Sequence, residues 1–180
     1  MPNALILSGG IYPISTDFRT GIAYQLRAAA GDLTPEAFLG LWFPGPCPEN
    51  TAEAVEAVNR FYRRRDEPPK AEDPGPRAFD FRQDAEAIYA AFWKEYGIDL
   101  GGAEMHWWQF MALLEGLYTY GFSDRVGFRV ADLSGLDAKS RTGFLKKRSQ
   151  FSLAEPRKTA QEHLNALDEI IKRHGGDSHG

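Results

Sequence analysis

The stretch from Phe79 to Leu117, FDFRQDAEAIYAAFWKEYGIDLGGAEMHWWQFMALLEGL, decides the fold class. Its first part sets Phe81, Ala85, Ile88, Phe92 and Tyr96 three or four residues apart, the spacing of one helical face. Asp80 and Gln83 resemble a capping box at the start of that helix, and Gly97 supplies a residue that tolerates the left-handed exit. The second part, from about Glu104 to Leu117, carries Met105, Trp107, Trp108, Phe110, Met111, Leu113 and Leu114 around nearly its whole circumference. Such a helix must be covered by neighbours on several sides. The Ile98-Asp99-Leu100-Gly101-Gly102 link is short, so the two helices are expected to form a central antiparallel pair.

Upstream of this pair, Ala4-Leu5-Ile6-Leu7 and Ile11-Tyr12-Pro13-Ile14 flank Ser8-Gly9-Gly10 and predict a small β-hairpin, with Pro13 on an edge strand. Asp17 is expected to cap a helix with Phe18, Ile22 and Leu26 on one face, ended by Gly31. Thr34-Pro35-Glu36 opens a short helix through Phe38, Leu39, Leu41 and Trp42 that Pro44 stops. Asn50 or Thr51 opens a third with Val55, Val58, Phe61 and Tyr62. Four prolines among charges from Asp66 to Arg77 predict a mobile loop.

Downstream, Ser123 is expected to cap a brief helix with Val126, Phe128 and Val130, and Asp137 to open a basic one. A last helix, from about Pro156 to Arg173, places Leu164, Leu167, Ile170 and Ile171 on one face. That face suits the groove of a partner or of a second copy of the chain, and residues 174–180 read as a frayed tail. The expectation is a mainly α, compact helical domain over residues 1–180 with a small N-terminal hairpin.

Composition narrows the function classes. The chain has 180 residues, 43% hydrophobic, which suits one domain with a core of useful size. Its 21 basic and 25 acidic residues leave a net charge of −4, against any general coating of nucleic acid or anionic membrane. The lone Cys47 excludes an intramolecular disulfide framework. The N-terminal apolar run is too short for a signal peptide, and no stretch reaches the roughly 20 apolar residues of a spanning helix. A cytoplasmic protein, or part of an assembly made there, is expected.

Candidate chemistry is sparse. Glu104 and His106 do not share a helical face, and no HExxH pattern occurs, so no metal site is assigned. His106 is expected to pack beside Trp107 and Trp108 with a ring nitrogen bonded locally. Asp80, Asp84 and Glu86 form an acidic group that helix capping and the dipole already explain. His163, His174 and His179 make no supported ligand pair, and no catalytic or cofactor-binding residue is assigned. The one large departure from charge balance is Lys139, Arg141, Lys146, Lys147, Arg148, Arg157 and Lys158, set against Glu155 alone. It reads as a solvated face or as a docking patch for an acidic partner. Nucleic-acid contact is disfavoured by the acidic chain and by the absence of a recognition motif.

Several motifs together resemble a known family. They are Tyr12-Pro13-Ile14-Ser15-Thr16-Asp17-Phe18-Arg19, Phe79-Asp80-Phe81 with Gln83-Asp84-Ala85-Glu86, Ile88-Tyr89-Ala90-Ala91-Phe92, Tyr96-Gly97-Ile98-Asp99-Leu100, and His106-Trp107-Trp108 with Phe110 and Leu113-Leu114-Glu115-Gly116-Leu117. With Phe128-Arg129-Val130-Ala131-Asp132-Leu133, they are similar to the bacteriophage gene-product-fifteen family of long-tailed phages and prophages of Gram-positive bacteria. The resemblance runs from Tyr12 to about Leu153. It implies a place in the phage tail module, made in the host bacterial cytoplasm, with the tape-measure protein and the major tail protein as expected partners. It brings no catalytic residues or cofactor. By analogy it suggests a tail assembly chaperone; the alternatives are a component retained in the virion tail and, of a different class, a small helical nucleic-acid-binding regulator. The residues expected to bind a partner are Lys146, Lys147, Arg148, Leu164, Leu167, Ile170 and Ile171, with Trp42 and Phe43 as further aromatics for an apolar face.

Overall fold

A computed structural model describes residues 1–64, 76–119 and 121–154. They form a mainly helical structure with one two-stranded sheet. The expected terminal helix, the tail and most of the proline-rich loop lie outside the described residues. The rest divides into two compact units, one of residues 1–64 and 104–111, the other of residues 76–103, 112–119 and 121–154.

In the first unit, β1 (Ala4–Leu7) and β2 (Gly10–Pro13) pair antiparallel, with Leu5 opposite Tyr12 and Ile6 opposite Ile11. Gly10 turns the chain back at φ 134, a value other residues rarely adopt. The helices start where short polar side chains meet free backbone N–H groups. Asp17 accepts from Arg19 N to open α1 (Phe18–Ala30), Thr34 from Ala37 N to open α2 (Pro35–Trp42), and Asn50 from Glu53 N to open α3 (Thr51–Arg63). The Glu53 carboxylate in turn accepts from Ser8 N and Ser8 Oγ, fastening the hairpin turn to α3 and lowering the Glu53 pKa.

The core of this unit is aromatic. Helix α5 (Trp107–Glu115) begins here, and Trp107 stacks on Tyr62 with ring centroids 4.9 Å apart while its Nε1–H donates to Tyr62 O at 2.8 Å. Trp108 stacks on Phe61 and donates to Phe61 O in the same way. Phe18 of α1 stacks on Phe110 at 4.8 Å. Gly21 makes the approach of α1 feasible, because a Cβ there would lie 2.3 Å from Trp107 Cε3. His106 has one ring nitrogen bonded locally as expected, Nδ1 accepting from Trp108 N at 3.0 Å, while Nε2 pairs with Pro2 O, 104 residues away, at 2.9 Å.

Trp42 and Phe43, expected on an apolar docking face, are instead buried. The end of α2 turns inward: Trp42 packs edge-on against Tyr24, Phe61 and Tyr62, and Phe43 against Tyr12.

The second unit contains α4 (Ala85–Tyr96), α6 (Phe122–Val130) and α7 (Ala138–Gln150). Helix α4 ends at Gly97 with φ 66, as expected, but begins after Asp84 and not at Asp80. Asp80 does cap, accepting from Arg82 N and Gln83 N, yet it closes the turn before the helix. Its own N–H donates to Asp84 Oδ2, not to Gln83. Ser123, expected to cap α6, donates backwards to Tyr118 O and Thr119 O, and Gly121 stands at the cap position. Glu95 fastens the segment after α5, accepting from Tyr118 N, Thr119 N and Thr119 Oγ1. The expected α4–α5 pairing is not among the principal packings: α4 packs on α6, and its Tyr96 hydroxyl donates to Leu113 O of α5 at 2.9 Å. The principal helix packing is α1 with α2, α2 with α3, α4 with α6, and α6 with α7.

Candidate functional site

Helix α7 carries the described part of the expected partner-binding set. Asp137 opens it, accepting from Lys139 N at 2.9 Å and Ser140 N at 3.0 Å. The hydrogen bonds from Ser140, first its hydroxyl, hold the Asp137 pKa low against desolvation. At about 100° per residue, Lys139, Lys146 and Lys147 fall on one face with Gly143 and Gln150, and all five are exposed. Phe144 and Arg148 fall on the opposite face and are half-buried.

That inner face anchors the helix. Phe144 and Phe151 both lie against the Phe128 ring of α6, at 5.3 and 5.9 Å. Arg148 is committed inward: Nε donates to Phe128 O at 2.9 Å and Nη2 to Ala131 O. A guanidinium is well suited to this position, because the last carbonyls of α6 have no partners within their own helix and carry partial negative charge. Arg148 thus caps α6, whereas Lys146 and Lys147 remain at the surface. Leu164, Leu167, Ile170 and Ile171 lie outside the described residues.

Behind α7 stands a buried ion pair that sequence reading missed. Arg129, 6% exposed, forks onto the fully buried Asp84 with Nη1 to Oδ2 at 2.7 Å and Nη2 to Oδ1 at 3.0 Å. The same guanidinium donates to Ala78 O at 3.0 Å and, through Nε, to Phe151 O at 2.6 Å. Arg125 adds a longer contact to Asp84 at 3.4 Å. Burial pushes the Asp84 pKa up, but hydrogen bonds from Arg129 and Asp80 N and the Arg129 charge outweigh it, and the net shift is downward. Gln83 and Arg77 continue the stitching, Gln83 Oε1 accepting from Ala154 N and Arg77 Nη1 donating to Ala154 O. The end of α7 is therefore held across the segment leading into α4. One signal for this was present: Arg129 lies seven residues after the buried Phe122 on the inward stripe of α6, an unusual place for a cation without a partner.

The acidic group at the head of α4 is therefore structural in layout. Asp84 is enclosed by arginines, Asp80 is engaged by backbone and by Arg77 at 2.6 Å, and Glu86 is exposed. Among the described residues, no group of three or more His, Cys, Asp or Glu is placed to hold a metal ion. No helix among them is long and apolar enough to cross a membrane.

Both strands and all seven described helices fall within a family model described as Bacteriophage Gp15 protein, which matches residues 1–153. The chain belongs to this family. No curated protein and no solved structure matches the chain. Within this Gp15-family chain, Lys146, Lys147 and Arg148 lie inside the matched region and the stripe from Leu164 to Ile171 lies beyond it.

Proposed function

We propose that this Gp15-family chain acts in phage tail assembly through protein contacts, without catalysis, by binding the tape-measure protein, the major tail protein or both. The observation that carries this reading is the family match over residues 1–153, which takes in every described element. The layout of α7 supports it: a helix clamped on its inner face and displaying lysines on its outer one is a rigid cationic surface, and rigid presentation lowers the entropic cost of docking an acidic partner. A tape measure is long, helical and apolar, so a binding protein that covers it before assembly would keep it from aggregating. Localisation in the host bacterial cytoplasm follows from this role.

The test is coexpression with the tape-measure protein and, separately, with the major tail protein of the same phage, followed by pull-down and a solubility comparison. The expected result is a stoichiometric complex that keeps the tape measure soluble. Failure to bind either protein overturns the reading. Stoichiometric recovery of the chain in purified virions would replace the chaperone role with that of a tail component.

A further inference from the structure

A concave surface lies in the first unit, built from residues remote in sequence from α7. Leu5 and Ile6 of β1, Phe61 of α3 and Trp108 of α5 line a cleft of about 300 Å³, with Arg60 and Arg64 at its wall. Its makeup follows from local rules. Ala57, Arg60 and Phe61 recur at the spacing of one face of α3, and Arg64 follows at the left-handed C-cap with φ 58, so the end of α3 brings two guanidiniums to the same cleft as the edge of a buried aromatic ring. The hairpin packs on α3 from the other side. Its strand alternation turns Leu7 inward and leaves Ile6 84% exposed at the cleft, opposite Ile11, itself 73% exposed.

We propose that this cleft receives a protein segment bearing an apolar side chain flanked by Asp or Glu. The floor supplies the apolar contact, and the cross-strand pair Ile6 and Ile11 extends it beyond the cleft mouth. The rim supplies the charge selection through Arg60, whose guanidinium favours a planar carboxylate and donates to it in forked geometry. The contact of Arg60 with Glu56 at 3.3 Å joins two half-exposed side chains, an arrangement too weak to hold Arg60 against an incoming carboxylate. The volume admits an apolar side chain and lies at the small end for a complete cofactor. A peptide is favoured over a nucleic-acid strand because the chain is acidic overall and Phe61 and Trp108 spend ring faces on each other.

The inference rests on the tail-assembly reading for the identity of the partner but not for the chemistry of the cleft, and the experiment separates the two. The full chain is applied to an array of short peptides tiling the tape-measure and major tail proteins, together with randomised peptides in which Asp and Glu alternate with Leu, Ile and Phe. Retained peptides should be acidic and apolar, and the best should bind in solution on the order of tenfold more weakly to Ile6→Asp and to Arg60→Glu. Ile6 is exposed, so its replacement leaves the core intact, which circular dichroism verifies. Binding confined to the randomised set supports the cleft and counts against the tail partners. No retained peptide, binding unchanged in both variants, or preference for oligothymidylate at physiological salt overturns the inference.

Discussion

In the unit of residues 1–64 and 104–111, Trp107, Phe110, Phe18, Tyr62 and Trp42 are joined ring to ring, whereas in the other unit Asp84, Arg129 and Arg148 hold the frame by charge and by carbonyl capture. The two solutions have different weaknesses. Stacked rings gain from area and shape, so the first unit should be sensitive to volume and indifferent to a change of charge. A buried ion pair gains little over an apolar pair of the same shape, but breaking it by halves leaves an uncompensated charge. The second unit should therefore respond to charge state and to pH.

The largest effect is expected from Trp107→Ala, which removes a side chain only 1% exposed, its stack on Tyr62 and its bond to Tyr62 O. A loss of about 3–5 kcal/mol is expected in chemical denaturation, with hydrogen exchange fastest over α1 and α3. Arg129→Ala should come close, at about 3–5 kcal/mol, because Asp84 is left buried and unpaired. The comparison is sharpened by the double variant Asp84→Leu with Arg129→Met. Recovery of most of that loss would show that the pair is costly to halve but not needed for stability; no recovery would mean that the contacts of Arg129 to Ala78 O and Phe151 O carry the frame.

Gly21→Ala tests the volume side with one methyl group. Its Cβ would overlap the Trp107 ring, and a destabilisation of about 1–3 kcal/mol is expected, with Tm as the readout. An unchanged Tm would mean that the aromatic core yields more readily than close packing allows.

Acid should separate the units next. The folded-state pKa of Asp84 is lowered, so its contribution is fully present above the ordinary aspartate value near about 4 and is lost as pH falls through the lower folded value. Protection of α4 and α6 in hydrogen exchange should therefore fall on acidification before that of the aromatic unit. Glu53 also has a lowered pKa, but it lies in the first turn of α3, half-buried, where it holds Ser8 of the hairpin turn. Simultaneous loss in both units would erase the proposed distinction.

The same division explains what the sequence discloses. Asp17, Thr34, Asn50, Asp137, Gly31 and Gly97 act on backbone groups within a few residues, so pattern alone locates the elements they bound. The departure at Ser123 is local, its hydroxyl taken by carbonyls four and five residues back, but those at Asp84, Trp42 and Arg148 arise from partners distant along the chain. Asp84 displaces Asp80 at the head of α4 because its carboxylate is engaged by an arginine 45 residues away. Trp42 reads as an accessible aromatic beside a proline turn, and only the meeting of α2 with α1 and α3 encloses it. In the candidate site, the cationic character of α7 is legible from spacing, but the inward commitment of Arg148 depends on α6 carbonyls 17 and 20 residues before it.

The smallest effect on stability should come from the residues most exposed to a partner. Lys146 and Lys147 are exposed on α7, and Lys146→Glu with Lys147→Glu is expected to change stability by less than about 1 kcal/mol, whereas Arg148→Ala should destabilise by about 1–3 kcal/mol through lost carbonyl contacts. Binding to the tail partner should follow the opposite order. Reversing the two lysines is expected to slow association by about tenfold at low salt, with the difference shrinking as salt rises, since rim charges act mainly on encounter. Arg148→Ala should leave the salt dependence of association unchanged while loosening α7. If the lysine reversal leaves association unaffected at every ionic strength, α7 is a structural strut, and the cleft beside Arg60 becomes the surface on which partner binding must be sought.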